Sequence, residues 1–132
     1  MAVPAVSVLI PVRNGERYLA EALDGVLAEN DPTREVVIVD DGSDDGTPTI
    51  LEAYRRKDHR VIANRQQPSG VIVALERGRR YARAPLIARL DADDIAYRGR
   101  LAAQVAAFKA DPGLVLLGGA LDKIDEAGRR IG

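Results

Sequence analysis

The sequence predicts an α/β protein with a mostly parallel sheet flanked by helices. Short, continuous apolar runs alternate with amphipathic segments, and continuous apolar runs are typical of strands that are buried on both faces. The runs that we expect to be strands are Val6–Ile10, Val36–Val39, Val61–Ala63, Leu86–Leu90 and Leu114–Leu117. Helical segments lie between them, so the predicted order is βαβαβαβαβ, which favours parallel pairing.

Each predicted helix has an apolar stripe and a start or stop signal. Asn14, Thr47 and Ser69 precede the first three helices and are expected to cap them, with Pro48 in the first turn of the second helix. The stripe residues are Tyr18, Ala22 and Val26; Ile50, Leu51 and Tyr54; Val71, Ala74, Leu75, Gly78 and Tyr81; and Leu101, Val105 and Phe108. We expect the third helix to run to about Arg83, and the segment Ala120–Ile131 to form a strand-turn-strand unit.

Length and composition limit the classes of function. The chain has 132 residues, a net charge of −1 and no cysteine. We therefore expect one domain, no thiolate metal site, and no basic surface for nucleic acid or an anionic membrane. No apolar run approaches the roughly 20 residues of a membrane helix. We expect a cytoplasmic protein, with any membrane association supplied by a parent chain or a partner.

Polar and acidic residues follow three of the predicted strands. Pro11 and Arg13 end the first strand, Asp40-Asp41-Gly-Ser follows the second, and Asp91-Ala-Asp93-Asp94 follows the fourth. In parallel sheets these ends converge on one edge, where ligands bind. Clustered carboxylates repel each other unless a cation or ligand donors lie between them. Asp91-x-Asp93 has the oxygen ligands that Mg²⁺ and Mn²⁺ prefer.

Other interpretations of these residues are also open. The D-x-D segment alone is also typical of a solvated acidic turn in which Asp94 caps the next helix. Residues 41–52 match the spacing of a calcium-binding EF-hand loop, but a strand is predicted before the loop where that motif requires a helix. We expect His59 to lie on the surface, and the arginines at 77, 79, 80 and 83 to form a solvated helix face.

Taken together, the motifs resemble family 2 glycosyltransferases of the GT-A fold. The segments that carry the resemblance are VSVLIPVRNG at 6–15, VIVDDGS at 37–43 with Gly46-Thr47, and ARLDADDI at 88–95, continued by Arg100-Leu101, Gln104 and Gly118. Their order and spacing cover roughly residues 5–120. The resemblance implies a Rossmann-like domain over residues 1–132 that binds a nucleotide sugar.

The resemblance also implies an activity and a donor site. The family transfers a sugar from a nucleotide-diphosphate donor, most often a UDP-sugar, to an acceptor hydroxyl, with inversion at the anomeric carbon. Pro11 and Arg13 would line the nucleoside pocket, and Asp40 and Asp41 would belong to the donor site. Asp41 would accept a hydrogen bond from the base, and Asp91 would lie near the ribose and diphosphate.

The metal site and the catalytic base follow from the same resemblance. Asp93 would bind Mn²⁺ or Mg²⁺. The family's base lies well beyond the D-x-D segment, in a half of the domain that binds the sugar or glycan acceptor. Asp122, Asp125 and Glu126 follow the D-x-D segment too soon to match it, so we assign no residue as the catalytic base. We expect a partial GT-A domain, truncated on its C-terminal side. Glu76 stands where the family often has Asn or Arg.

Two alternatives remain open on the sequence alone. The first is an inactive nucleotide-binding or self-associating fragment, which would form a homodimer through an exposed sheet edge. The second is a sugar nucleotidyltransferase, which is less favoured because that group has a glycine-rich loop after the first strand, whereas this chain has Gly15 alone.

Overall fold

The computed structural model describes residues 3–28, 31 and 34–131. Both ends of the predicted domain, Met1 and Gly132, lie outside this part of the chain. The elements are β1 (Val6–Val12), α1 (Leu19–Leu27), β2 (Arg34–Asp41), α2 (Thr47–Lys57), β3 (Val61–Gln66), α3 (Val71–Tyr81), β4 (Leu86–Arg89) and α4 (Arg100–Ala110). The first four predicted strands and all four predicted helices are therefore confirmed.

The sheet is parallel, with the strand order β3-β2-β1-β4. In this register, Val6 of β1 lies opposite Arg34 of β2 and Leu86 of β4. β1 and β2 are almost fully buried because helices cover both faces of the sheet. Leu19, Leu23 and Val26 of α1 pack with the face of β1 that carries Val8 and Ile10, and α3 packs on the opposite face.

α3 approaches the sheet closely at Gly78. A Cβ atom at this position would overlap Leu9 Cδ1 and lie 3.2 Å from Val39 Cγ2. Ala74, one turn earlier, is completely buried. Small side chains at these two positions therefore let the helix lie directly on β1 and β2.

The three predicted caps are wrong. Asn14 lies before α1 with a φ of +53°, and Tyr18 is the N-cap without a side-chain hydrogen bond. Glycines occupy the N-cap positions of α2 and α3, and Thr47 is the first residue of α2. The hydroxyl of Ser69 donates to the carbonyl oxygen of Gln67 instead. The polar groups of Asn14 and Thr47 are used between loops, as described below, and the presence of Pro48 in the first turn of α2 is confirmed.

The predicted fifth strand is absent from the described part of the chain. Residues 114–117 form no ladder, and Val115 and Leu116 are 89% and 85% exposed. Strand structure needs a hydrogen-bonded neighbour, and no described strand pairs with the outer edge of β4. The last segment forms a single antiparallel bridge between Ile124 and Arg130, which confirms the turn between them but not two full strands.

Two side chains predicted to face inward from α3 are exposed. Val71 is 54% exposed and Tyr81 is 43% exposed, whereas Ala74 and Gly78 are buried as predicted. No described helix has the length and apolar character that crossing a membrane requires.

Candidate functional site at the carboxyl edge of the sheet

The loops that follow β1, β2 and β4 meet at the carboxyl edge of the sheet. The chain runs from β1 through β2 to β3 and then returns to the other side of β1, so strand order reverses between β1 and β4. Leu90 donates its backbone N–H to Leu9 O at 3.1 Å, so Asp91 follows directly at this edge. A Cβ atom on Gly15 would lie 3.7 Å from Ala92 Cβ. Ligands of such sheets bind at this reversal point.

Five hydrogen bonds join residues 14–16, after β1, to residues 43–47, after β2; we call this unit the loop bracket. The bonds are Asn14 N to Ser43 Oγ at 2.8 Å, Asp44 N to Asn14 Oδ1 at 2.9 Å, Gly15 N to Thr47 Oγ1 at 2.9 Å, Glu16 N to Asp45 Oδ2 at 3.2 Å, and Gly46 N to Glu16 Oε2 at 2.7 Å. Because each loop both donates and accepts, the two loops are fixed relative to each other.

Asp41 is buried at the end of β2, and its carboxylate accepts three hydrogen bonds. Gln66 Nε2 donates to Oδ1 at 2.8 Å, and the backbone N–H groups of Ser69 and Gly70 donate at 2.7 and 3.0 Å. The Gln66 hydrogen bond is the main cause that lowers the pKa of Asp41, against the opposing effect of burial. The two backbone donors and the nearby charge of Arg13 lower this pKa further. The group is therefore a carboxylate at neutral pH and holds the start of α3.

Asp40 is also buried, and both of its oxygens have protein partners. The backbone N–H of Ser43 donates to Oδ1 at 2.9 Å, and Arg65 Nη1 donates to Oδ2 at 3.0 Å. Only 3% of the Asp40 side chain is exposed, against 53% for Arg65. Asp40 thus links the loop after β2 to the end of β3.

Asp91, Asp93 and Asp94 form an exposed acidic cluster after β4. One carboxylate oxygen from each lies within 4.8 Å of the others. Burial raises the pKa of Asp94, and the negative charges of Asp93 and Asp91 raise it further. Asp91 is partly balanced by Arg89, whose Nη2 lies 3.1 Å from its Oδ1. Three close oxygen ligands with unfavourable mutual charge fit a hard divalent cation.

Two side chains at this edge were not identified from the sequence. Arg65 and Gln66 end β3, and the β2–β3 register places them opposite Asp40 and Asp41. The only signal in the sequence is that the polar residues Asn64, Arg65 and Gln66 follow the apolar run Val61–Ala63. It becomes informative only when the strand pairing is known, because any residue of β3 could lie opposite the two acids in another register.

Two other polar residues considered in the sequence, Glu76 and Arg83, have partners within the fold. Glu76 bonds to Arg79 at 2.6 Å, and this bond is the main cause that lowers the pKa of Glu76 to about 2. Arg83, predicted to be solvated, is 51% exposed and also donates from Nε to the buried Glu35 at 2.9 Å. His59 is exposed, as predicted.

The EF-hand interpretation is wrong. β2 precedes the loop where that motif requires a helix. Glu52 lies at the position of the last calcium ligand, and its carboxylate is bonded to Arg55 and Arg56.

Comparisons with known proteins agree on one family. The sequence model of glycosyl transferase family 2 matches residues 7–131. Two Bacillus subtilis proteins, named glycosyltransferase EpsH and teichuronic acid biosynthesis glycosyltransferase TuaG, are 36% and 37% identical over 94 and 92 residues. These matches cover 71% and 69% of this chain, but only 27% and 36% of the relatives. The chain therefore spans well under half the length of these curated relatives.

Solved structures agree with this comparison. The mannosyltransferase PcManGT of Pyrobaculum calidifontis, in complex with GDP-Man and Mn²⁺, superposes with a TM-score of 0.75 and 29% identity, covering 85% of this chain and 34% of that one. S. aureus TarS in complex with UDP-GlcNAc gives a TM-score of 0.73 and 28% identity, over 80% of this chain and 31% of that one. With four parallel strands, flanking helices and a family match over nearly its whole length, the chain belongs to glycosyl transferase family 2.

Proposed function

We propose that this chain supplies the nucleotide-sugar and metal site of an inverting, metal-dependent glycosyltransferase. The acidic cluster carries the proposal, because it brings three carboxylates within 4.8 Å beside the edge where strand order reverses. A divalent cation at such a cluster binds diphosphate oxygens and offsets the charge that develops on the leaving group. Asp93 is the proposed metal ligand, and Asp91 the group near the ribose and diphosphate.

The proposed nucleoside pocket is formed by Pro11 and Arg13 at the end of β1 and by Asp40 and Asp41 at the end of β2. Asp41 has protein donors on both oxygens, but Oδ2 has only one, from Gly70. A carboxylate oxygen can accept two hydrogen bonds, so Oδ2 retains a position for an N–H donor of the base. Both oxygens of Asp40 already have protein partners and only 3% of its side chain is exposed, so its proposed part is to hold the loop after β2 and Arg65 in place.

The proposed donor is a nucleoside diphosphate sugar, and Mn²⁺ or Mg²⁺ is the proposed cofactor. Related structures contain GDP-Man with Mn²⁺ and UDP-GlcNAc, which supports this class of donor. The proposed acceptor is the hydroxyl of a sugar or glycan. The acids after α4 are poor candidates for the catalytic base, because Asp122 pairs with Arg130 at 2.8 Å and Glu126 with Arg17 at 3.1 Å.

Calorimetry with UDP and GDP, each with and without Mn²⁺, tests this proposal. We expect metal to increase the affinity for at least one of them by about tenfold or more, and Asp93→Asn to remove that increase. Asp111→Asn is the matched control, since Asp111 is an exposed acid after α4 and away from the cluster. Metal-dependent affinity that is unchanged in Asp93→Asn would contradict the assignment.

A second candidate is self-association through the outer edge of β4. Among the strands that the structure describes, β4 has a neighbour only on the side of β1, and Ile87 on this strand is 45% exposed. An unpaired edge with exposed apolar side chains favours pairing between chains. We expect light scattering to detect a dimer that Ile87→Lys abolishes, and a monomer at all concentrations would exclude this candidate.

A further inference from the structure

An open cavity of about 360 Å³ lies at the carboxyl ends of β2 and β3. Its lining residues are Gly42, Arg65, Gln66, Gln67 and Pro68. Of these, only Gly42 lies in a segment that the sequence analysis singled out. Gly42 has a φ of +71°, and a Cβ atom there would overlap the Pro68 ring. The close packing of these two loops therefore depends on a glycine at position 42.

Arg65 presents an oriented set of donors to this cavity. Its Nη1 donates to Asp40 Oδ2 at 3.0 Å, and its Nη2 donates to Ser43 O at 2.7 Å. A guanidinium group has five N–H donors, so three remain. Because the buried Asp40 fixes the head group, ligand binding would cost little further side-chain entropy.

Charge and position indicate which part of a ligand would lie there. Asp40 neutralises Arg65, and Arg65 is the only charged residue that lines the cavity. The pair therefore suits a neutral acceptor better than a phosphate. The acidic cluster follows β4, at the other end of the order β3-β2-β1-β4. If the diphosphate lies at that cluster, a base placed across β1 from it would lie at the ends of β2 and β3.

We propose that Arg65 donates a hydrogen bond to a carbonyl oxygen of the nucleobase and thereby selects bases that have one. Uracil, cytosine and guanine carry such a carbonyl, and adenine does not. The proposal rests on the proposed nucleotide-binding function and adds to it the class of base. Asp40 is a positioning residue in this scheme, because it acts on the ligand only through Arg65.

The test is a panel of UDP, CDP, GDP, ADP and pyrophosphate measured by calorimetry with Mn²⁺. We expect the preferred carbonyl-bearing nucleotide to bind about ten- to a hundredfold more tightly than ADP, the range of one hydrogen bond to a charged group. Arg65→Met should abolish this preference and leave pyrophosphate affinity unchanged. Arg79→Met is the matched control, since Arg79 is 59% exposed and also bonded to a carboxylate.

The outcomes separate the two proposals. If no nucleotide in the panel binds with Mn²⁺, the proposed function fails. If nucleotides bind but Arg65→Met keeps the preference over ADP, or weakens every ligand equally, only the role of Arg65 fails. Thermal unfolding without ligand checks that the variant is folded.

A measurement on the unmodified chain does not depend on any variant. The side-chain ¹H–¹⁵N resonances of Arg65 should shift with the preferred nucleotide and stay in place with pyrophosphate. Unmoved resonances at saturating nucleotide would overturn the proposal.

Discussion

The backbone N–H of Asn14 donates to Ser43 Oγ at 2.8 Å, between residues that are 29 positions apart in the chain. Ser43 is itself held by Asp40, which accepts its N–H at 2.9 Å. The end of β1 and the end of β2 are therefore joined by hydrogen bonds beyond the last sheet pair. The loop bracket thus fixes the two loops relative to each other, as sheet pairing fixes the two strands.

Because of the backbone conformation of Asn14, we expect substitutions at this position to lower the free energy of unfolding by different amounts. Its φ of +53° is unfavourable for a residue with a Cβ, and asparagine tolerates it better than most residues. Asn14→Gly keeps this conformation and loses only the acceptor for Asp44, so we expect a loss of about 0.5–1 kcal/mol. Asn14→Ala adds strain and should lose about 1 kcal/mol more. Urea unfolding measures both, and equal stability of the two variants would contradict the role of backbone conformation.

Gly78→Ala should destabilise the fold although alanine is the better helix former. The added methyl would overlap Leu9 Cδ1 in a fully buried contact, and overpacking of this kind costs about 1–3 kcal/mol. Gly25→Ala in α1 is the control, since its Cβ would have only ordinary contacts, the nearest 3.6 Å from Ile95 Cγ2. We expect this control to be neutral or stabilising in thermal unfolding. A Gly78→Ala protein as stable as the control would disprove the close packing of α3.

The environment of the buried Glu35 leads us to expect that the stability of the fold depends on pH. Burial alone would raise the pKa of this carboxyl, but hydrogen bonds from the Arg83 N–H, the Ser7 hydroxyl and the Arg83 guanidinium together hold it below its usual value. A lowered folded-state pKa adds stability above the unfolded pKa, and this stability is lost as the pH falls through the folded value.

We therefore expect Glu35→Gln to be less stable than the wild type by about 1–3 kcal/mol at neutral pH. The difference should be constant above about pH 5 and narrow below about pH 4. Chemical denaturation across this range measures it. A difference in stability between the wild type and Glu35→Gln that does not change with pH would show that the ionised form of Glu35 is not the stabilising one.

Tyr54 joins α2 to α1 and supplies a fourth prediction. Its hydroxyl lies 2.5 Å from Asp24 Oδ1 and 3.1 Å from Ala20 O. Burial first, and then the bond to Asp24, raise the pKa of Tyr54 to about 12, so it remains a donor at physiological pH. Tyr54→Phe should cost about 1 kcal/mol in denaturant unfolding. Tyr81→Phe, at an exposed tyrosine, should be neutral, and equal effects of the two changes would exclude a role for the hydroxyl.

The strands that could be predicted are those whose own residues require burial. Val36–Val39 is apolar at every position, and in the fold it is buried between helices on both faces of the sheet. Leu114–Leu117 has the same character, but strand structure also needs a neighbour, and none of the described residues supplies one. Among the described residues this run is neither paired nor buried, so an apolar composition leads to a buried strand only where a neighbouring strand and a covering helix are present.

The candidate site, too, could be predicted only in part from the sequence. That the acids after β2 and β4 follow strand ends at the same edge of the sheet could be predicted, because parallel topology alone brings strand ends to one edge. The partners of those acids could not, since Arg65 and Gln66 meet Asp40 and Asp41 only in the observed β2–β3 register. The cap predictions for Asn14 and Thr47 were wrong for a related reason. Their side chains accept hydrogen bonds from a loop that is distant in the sequence, and the residues around them do not indicate these bonds.

The central place of β1 sets a minimum length for any ligand that contacts both acidic groups. β2 and β4 lie on either side of β1, so their ends are two strand spacings apart, roughly 9.5 Å. A free base or an isolated diphosphate is shorter than this span and reaches one group at a time. The strand order therefore favours elongated ligands that have a hydrogen-bond donor at one end and, at the other end, oxygens that a cation held by the acidic cluster would bind.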